Sequence, residues 1–270
     1  MNVLDKIRWR IEKHIFDPLV SLYLNNRIYE RDKDPEKNFL FKSKPNLQRV
    51  GSKSAFQNII TEFKLDMLYE KNFEVAYENG IKDDPNNKQL KEWLRYGVYL
   101  NAIVAKLAVL GGGDFCTVGV SYGVVPRTIY DYLSSLGLWD KQRKYILVDK
   151  WEGLLFASQI TKTRQSEYCD NVEFIKRKFR EDSFQIIQKY APEALHQIKN
   201  KISYIHLNTT DAEAEFKTIE FIYDKLTTPG FIVIGHYGIL QTRELIDLFL
   251  EKHNNYVIPL PNLQGIIVKI

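Results

Sequence analysis

The chain has 270 residues, of which 44% are hydrophobic, 27% charged and 13% aromatic; this is a globular composition and excludes a disordered or low-complexity protein. Its 38 Lys and Arg against 34 Asp and Glu leave a net charge of +4, too small and too evenly spread to mark a nucleic-acid binder. Two cysteines, Cys116 and Cys169, build neither a disulfide framework nor a four-thiolate zinc site and read as reduced thiols.

Val3, Leu4, Ile7, Ile11, Ile15 and Leu19 fall at helical spacing, with Lys6, Arg10 and Lys13 between them. The spacing predicts an amphipathic helix that Pro18 bends or ends. Its apolar stripe suits packing on its own domain or on a twin subunit; the alternative is a basic helix lying on a membrane surface. The N-terminus shows no apolar signal core and no cleavage site. Arg31 to Lys53, polar and carrying Pro35 and Pro45, reads as loop. Helices are predicted over Ser54–Tyr77 and Lys88–Leu110, with a turn at Asp83 to Asn87. The most apolar stretch, Tyr96 to Leu110, is interrupted by Asn101 and Lys106, so it falls short of the roughly 18 uninterrupted apolar residues of a membrane span. The expectation is a soluble, cytoplasmic protein without integral membrane contact. Residues 1–88 would form a helical extension, a lid or a dimer contact, and residues 89–270 the main domain.

From Gly111 short β-branched and aromatic runs alternate with helix-length segments. Strands are predicted at Phe115–Val120, Tyr145–Val148, Val172–Ile175, Ile202–Leu207 and Phe231–Ile234. Between them come helices at Pro126–Leu136, Asp182–Lys199, Ala212–Leu226 and Gln241–Lys252. Tyr256–Leu260 and Gly265–Ile270 close the chain as two strands, antiparallel because only a short turn joins them. Alternating β and α implies a mostly parallel sheet with helices on both faces. With an antiparallel C-terminal strand, that is similar to the layout of class I methyltransferases: an α/β, Rossmann-like fold with a seven-stranded sheet.

In such sheets ligands bind beyond the carboxyl ends of the strands. The first strand runs into Gly119-Val120-Ser121-Tyr122-Gly123, whose glycines allow a tight turn and a close ligand approach. Asp149 ends the next strand, about 30 residues on, where an acceptor meets ribose hydroxyls.

Gly113 to Gly123, running into Arg127-Thr128-Ile129, resembles the first motif of the macrocin-type O-methyltransferases, enzymes that use S-adenosylmethionine to methylate macrolide sugars. Val148-Asp149-Lys150-Trp151-Glu152-Gly153-Leu154 resembles their second motif. Val172 to Ser183 is similar to their third strand and following acidic loop, Lys201 to Gly238 to their fourth and fifth strands, and Gln264 to Lys269 to their C-terminal strand. The resemblance covers about residues 90 to 270. It implies an S-adenosylmethionine cofactor, with Gly119, Val120, Ser121, Tyr122 and Gly123 around its methionine part and Asp149 on its ribose. Trp151, Asp182 and Ser183 would lie near the adenine.

The departures fall where chemistry belongs. The family's first-motif acid is Thr117 here. Its metal-binding Asp-x-Asp after the fourth strand falls on Asn208 and Thr210, and its Asp-Asp-Tyr-Gly after the fifth reads Gly235-His236-Tyr237-Gly238. Magnesium wants hard oxygen ligands that include carboxylates, so no metal site is carried over. Asp211 and Glu213 are the nearby residues that would have to replace one. His236 is then the candidate general base, and Asn208 the residue that orients a hydroxylated acceptor such as a sugar or nucleotide-sugar. The alternatives are a degenerate scaffold that binds cofactor or a partner, and another reaction on the same fold such as aminopropyl transfer. His206 reads as a core or strand-end residue, and His14, His196 and His253 carry no assignment. Lys176, Arg177, Lys178 and Arg180 read as a solvated rim, or as a clamp for an anionic substrate. Tyr122, Tyr237 and Trp151 are candidate ring faces for a sugar. A homodimer is expected.

Overall fold

The structure is a computed structural model that describes residues 54–56, 59–61, 65–152, 169–209, 211–238 and 240–270. The predicted N-terminal helix and the loop at 31–53 lie outside the described residues.

Strands β1 (Ser54–Phe56) and β2 (Ile59–Thr61) form an antiparallel hairpin with Phe56 opposite Ile59. A helix was expected over Ser54–Tyr77. Aromatic and β-branched residues here prefer the extended chain, and the helix starts only at α1 (Lys71–Ile81), where the Glu70 carboxylate accepts the Asn72 and Phe73 amides at 3.0 Å. Helix α2 spans Asn87–Ala108. By length and a mean hydropathy of 1.2 its Lys91–Gly111 stretch would suffice to cross a membrane. One face of it packs in the core: Val98, Ala102, Ala105 and Ala108 are buried in the same cluster as Phe73 and Tyr77 of α1. Helix α1, on the extension side of the expected boundary at residue 88, therefore shares its core with the sheet.

Among the described residues the main sheet has seven strands. They are β3 (Asp114–Val118), β4 (Tyr145–Asp149), β5 (Phe184–Gln188), β6 (Ile202–Leu207), β7 (Leu226–Ile234), β8 (Val257–Pro259) and β9 (Gly265–Lys269), in spatial order 5-4-3-6-7-9-8. Strands β3 to β7 are parallel, and β9 runs antiparallel to both β7 and β8. The expected mostly parallel sheet with an antiparallel C-terminal strand is present. The chain reverses direction outward from β3, on one side to β4 and on the other to β6. That makes the gap beyond β3 and β6 a topological switch point.

Alternate residues face two cores. Phe115, Tyr145, Leu147, Tyr204 and Val233 pack under α1, α2, α3 (Val124–Ser135) and α4 (Val172–Lys178). Cys116, Ile146, Ile205, Ile232 and Ile267 pack under α5 (Ala212–Tyr223), α6 (Leu240–Lys252) and the 3-10 turn Glu193–Gln197. Each fully buried large side chain contributes about 1.5–3 kcal/mol.

Two predicted elements exchange identity. Val172–Ile175, expected as a strand, is the start of α4: Asn171 caps it by accepting the Phe174 amide at 3.1 Å, and Glu173 pairs with Lys176 one turn on. Asp182–Lys199, expected as a helix, contains β5 instead. Short apolar runs such as Val-Glu-Phe-Ile and Phe-Gln-Ile-Ile do not distinguish helix from strand by periodicity; the capping asparagine does.

Candidate functional site

The carboxyl ends of β3, β4, β6 and β7 converge. Beyond β3 the backbone passes through positive φ at Gly119 (80°), Ser121 (48°) and Gly123 (73°). A Cβ on Gly119 would stand 2.3 Å from the Asn208 carbonyl oxygen, and one on Gly123 2.5 Å from the Phe179 ring. Both glycines are thus required by conformation and by space.

Asp149 reaches back into this turn. Its Oδ2 accepts the Val120 and Ser121 amides at 2.8 and 3.0 Å, and its Oδ1 the Lys150 amide at 2.7 Å and the Trp151 amide at 3.4 Å. Asp149 was expected to accept ribose hydroxyls; in the structure its carboxylate binds the Val120 and Ser121 amides. The carboxylate's roughly four acceptor positions are already engaged by backbone, so a ribose hydroxyl would share or displace one of these bonds.

Asn208 is the junction between the halves. Its amide donates to Val118 at 2.9 Å, its carbonyl lies against Gly119, and its side-chain oxygen would stand 2.5 Å from a Cβ on Gly235. Gly235 in turn donates to Leu207 at 2.7 Å. The next residue, His236, is part-buried with Nδ1 3.2 Å from the Thr209 carbonyl. A carbonyl only accepts, so Nδ1 carries the hydrogen and Nε2 the lone pair. Burial, opposed by the Thr209 bond, lowers the ring's pKa from its ordinary value, so the imidazole is neutral at pH 7.

Other expected residues fall elsewhere. Asp182 and Ser183 precede β5, at the amino edge of the sheet, where the Asp182 carbonyl accepts Lys144 Nζ at 2.7 Å and the Ser183 hydroxyl accepts Trp139 Nε1 at 3.2 Å. They cannot meet a ligand held by Gly119–Gly123. The misplacement follows from the third strand, whose carboxyl end is Gln188 to Tyr190 and not Lys176 to Ser183. Trp151 is only 2% exposed, with Nε1 directed at the Ser121 carbonyl at 3.4 Å, so it supports the turn from below and offers no open ring face. Tyr237 is committed to α6, donating to Asp247 at 2.6 Å. Tyr122 stands edge-on to Phe174 with centroids 5.9 Å apart.

Thr210 lies outside the described residues. Asp211 caps α5 through the Glu213 and Ala214 amides at 3.0 and 3.1 Å and accepts the Tyr190 hydroxyl. Glu213 points outward to Lys217 at 2.6 Å. Among the described residues the donor set beyond β6 and β7 is an amide, an imidazole and a carboxylate occupied in capping, which does not fit magnesium. Among the described residues no three His, Cys, Asp or Glu side chains cluster as metal ligands.

His206 is buried in β6, 3% exposed, with Nδ1 lacking a hydrogen-bond partner; burial and the neighbouring His236 charge push its pKa down to about 3. His196 lies edge-on to Phe221 and His253 bonds the Phe249 carbonyl at 2.8 Å, both away from the site. His14 is outside the described residues. Cys116 and Cys169 are free, buried thiols.

Two residues escaped the sequence reading. Tyr190 follows β5 and binds Asp211 across the sheet end. Lys178 was grouped with a solvated rim, yet its ammonium reaches the Tyr122 carbonyl at 3.0 Å. Its position three residues after buried Ile175 and four after Phe174 was the available signal.

No family model and no curated protein matches the chain. Solved structures do. The O-methyltransferase NovP superposes with a TM-score of 0.58 at 14% identity, covering 76% of this chain and 97% of its own. The calicheamicin methyltransferase CalS11 gives 0.50 at 11% identity, covering 74% and 92%. These likenesses are of fold: the chain has the Rossmann-like class I methyltransferase fold.

Proposed function

We propose that the chain binds S-adenosylmethionine beyond β3 and β4 and methylates a hydroxyl of a small acceptor, such as a sugar of a glycan or natural product, without a metal ion. The observation that carries this reading is the His236 ring, neutral and fixed by Thr209 with Nε2 left as a base, next to the Asn208 junction between the glycine turn and Gly235. When bound, the cofactor would supply an electrophilic methyl group, whose bond to sulfur breaks with the electron pair staying on sulfur and S-adenosylhomocysteine leaving. Asn208 orients the acceptor by hydrogen bonds. Nε2 of His236 takes the hydroxyl proton as the acceptor oxygen gains the methyl, and bulk water later removes that proton. Fixing the two reactants in one cleft supplies much of the remaining rate. The fold likeness to NovP and CalS11, an O-methyltransferase and a calicheamicin methyltransferase, supports the reaction class.

A second reading has its own observation. The Asp149 carboxylate is saturated by backbone amides, as suits a scaffold that keeps its shape without the cofactor. Calorimetric titration with S-adenosylmethionine and S-adenosylhomocysteine separates the two. The enzyme reading expects micromolar binding that Asp149→Ala weakens at least about tenfold, or about 1.4 kcal/mol. Absence of binding by either ligand gives first place to the degenerate scaffold.

A further inference from the structure

Lys178 points inward while its basic neighbours point out: Lys176 pairs with Glu173 at the surface at 2.7 Å, and Arg177 and Arg180 are exposed. Lys178 Nζ donates to the Gly80 carbonyl at 2.6 Å and the Tyr122 carbonyl at 3.0 Å, with the Phe174 ring centroid 5.8 Å away.

Each contact sits at a place that needs it. Gly80 is in the last turn of α1, and the amide that would continue the helix to it, from Asp84, donates instead to Ile81 at 3.0 Å. A helix-end carbonyl of this kind needs an outside donor. Gly80 is also where α1 meets α3: a Cβ there would stand 2.3 Å from Thr128 Oγ1. Tyr122 is the fourth residue of the Gly119–Gly123 turn, and Phe179, next to Lys178, packs on Gly123. One ammonium therefore joins the end of α1, the end of α4 and the turn.

We propose that Lys178 is a positioning residue for cofactor binding, holding the Tyr122 carbonyl and with it the Gly119–Gly123 turn in the conformation that receives the ligand. This rests on the cofactor reading above. The charged groups around Lys178 are Asp83 and Asp84 after α1, which favour its ammonium, and Arg127 of α3 and Lys82, which oppose it. Burial outweighs the two carboxylates and brings its pKa down to about 8. Charge-assisted bonds are stronger than neutral ones, so the clamp weakens as pH rises through that value.

The test compares wild type, Lys178→Met and Lys178→Arg. Amide hydrogen exchange across Val120 to Val124 is read in the unliganded proteins at one pH, and S-adenosylhomocysteine is titrated at pH 7 and 9.5. Lys178→Met is expected to exchange about tenfold faster in the turn and to bind about tenfold more weakly at pH 7, as loss of a charge-assisted bond implies. The gap from wild type is expected to narrow at pH 9.5, and Lys178→Arg to restore most of the pH 7 affinity. A merely structural lysine would not produce that pH-dependent gap. Wild-type exchange and affinity in Lys178→Met overturn the proposal. Should Lys178→Met fail to fold, the pH dependence of wild type against Lys178→Arg decides instead, and equal profiles overturn it. Should wild type bind no S-adenosylhomocysteine at either pH, the cofactor reading falls, while the exchange comparison still decides whether Lys178 holds the turn.

Discussion

The carboxyl ends of β3 and β4 and those of β6 and β7 are built on opposite terms. In the first region Asp149 is saturated, the Gly119, Val120, Ser121 and Gly123 amides have acceptors, and Lys178 closes the far side. In the second, His206 Nδ1 and Glu215 Oε1 are buried without partners. Arg95 Nε, Arg143 Nη1 and Glu181 Oε2 are orphaned as well, but each belongs to a side chain whose other polar atoms are bonded. Unpaired buried polar groups cost stability and persist at functional sites. The difference is one of pairing: the β3–β4 region is closed by its own hydrogen bonds, whereas the β6–β7 region leaves buried polar atoms without partners at the expense of stability.

The largest expected effect breaks the two apart. His236→Ala should lower turnover by about 10²–10⁴, the usual worth of a positioned general base, and leave S-adenosylhomocysteine affinity unchanged. Steady-state rates and a titration of the same preparation check this. Turnover within threefold of wild type would remove His236 from the chemistry. Gly119→Ala attacks the other region. The new methyl meets the Asn208 carbonyl at 2.3 Å in a backbone with φ of 80°, so the loss should be about 2–3 kcal/mol in stability, with cofactor affinity falling alongside. Thermal unfolding with and without ligand reads both.

That asymmetry also explains what could be read from the sequence. The glycine turn was legible because positive φ and a close approach leave glycine; Asp149 was singled out as a ribose acceptor at the end of the next strand, and the sequence did not show that its carboxylate binds the turn amides. His236 and Asn208 were singled out by position, at the ends of strongly β-branched runs, and the structure places both beyond those strand ends. Asp182 and Ser183 were misplaced because Val172–Ile175 has the composition of a strand and Phe184–Gln188 hides inside a helix-length segment; only the Asn171 cap separates the alternatives. Lys178 was obscured by three solvated neighbours of like charge. The hairpin at Ser54–Thr61 was missed because Ala55 and the polar residues around it fit a helical pattern equally well.

A smaller effect sharpens the claim that the β6–β7 region is costly. Glu215, in the first turn of α5, is 2% exposed, and burial raises its carboxyl from the ordinary 4.5 to about 8. The folded protein therefore keeps a proton that the unfolded chain releases above pH 4.5. Stability should fall as pH rises from about 4.5 to about 8 and then level off. Glu215→Gln removes this dependence. At pH 8 it should be more stable than wild type by at least about 1.4 kcal/mol, the equivalent of one pKa unit, with the advantage vanishing near pH 4.5. Denaturant unfolding at both pH values is the check, and an advantage that does not change with pH would mean that the carboxyl is ionised in the fold.

The smallest effect lies on a further contact between the two regions, at the sheet end. Tyr190, following β5, donates its hydroxyl to the Asp211 carboxylate, and Lys150 Nζ lies 5.9 Å from its ring. That bond, before the helix-end amides, holds the Asp211 pKa below its ordinary 3.8. A depressed carboxylate contributes stability above its unfolded pKa and loses it as pH falls through the folded value. Tyr190 is 42% exposed, so solvent screening discounts the bond to the low end of the usual range. Tyr190→Phe should cost about 0.5 kcal/mol at pH 7, and the deficit should close as acid protonates Asp211. Because the glycine turn is held by Asp149 and Lys178 and not by Asp211, cofactor affinity should stay at the wild-type value. A weakened affinity in Tyr190→Phe would show that the glycine turn depends on α5 after all, and the contrast between a paired region and an unpaired one would give way to a single coupled unit.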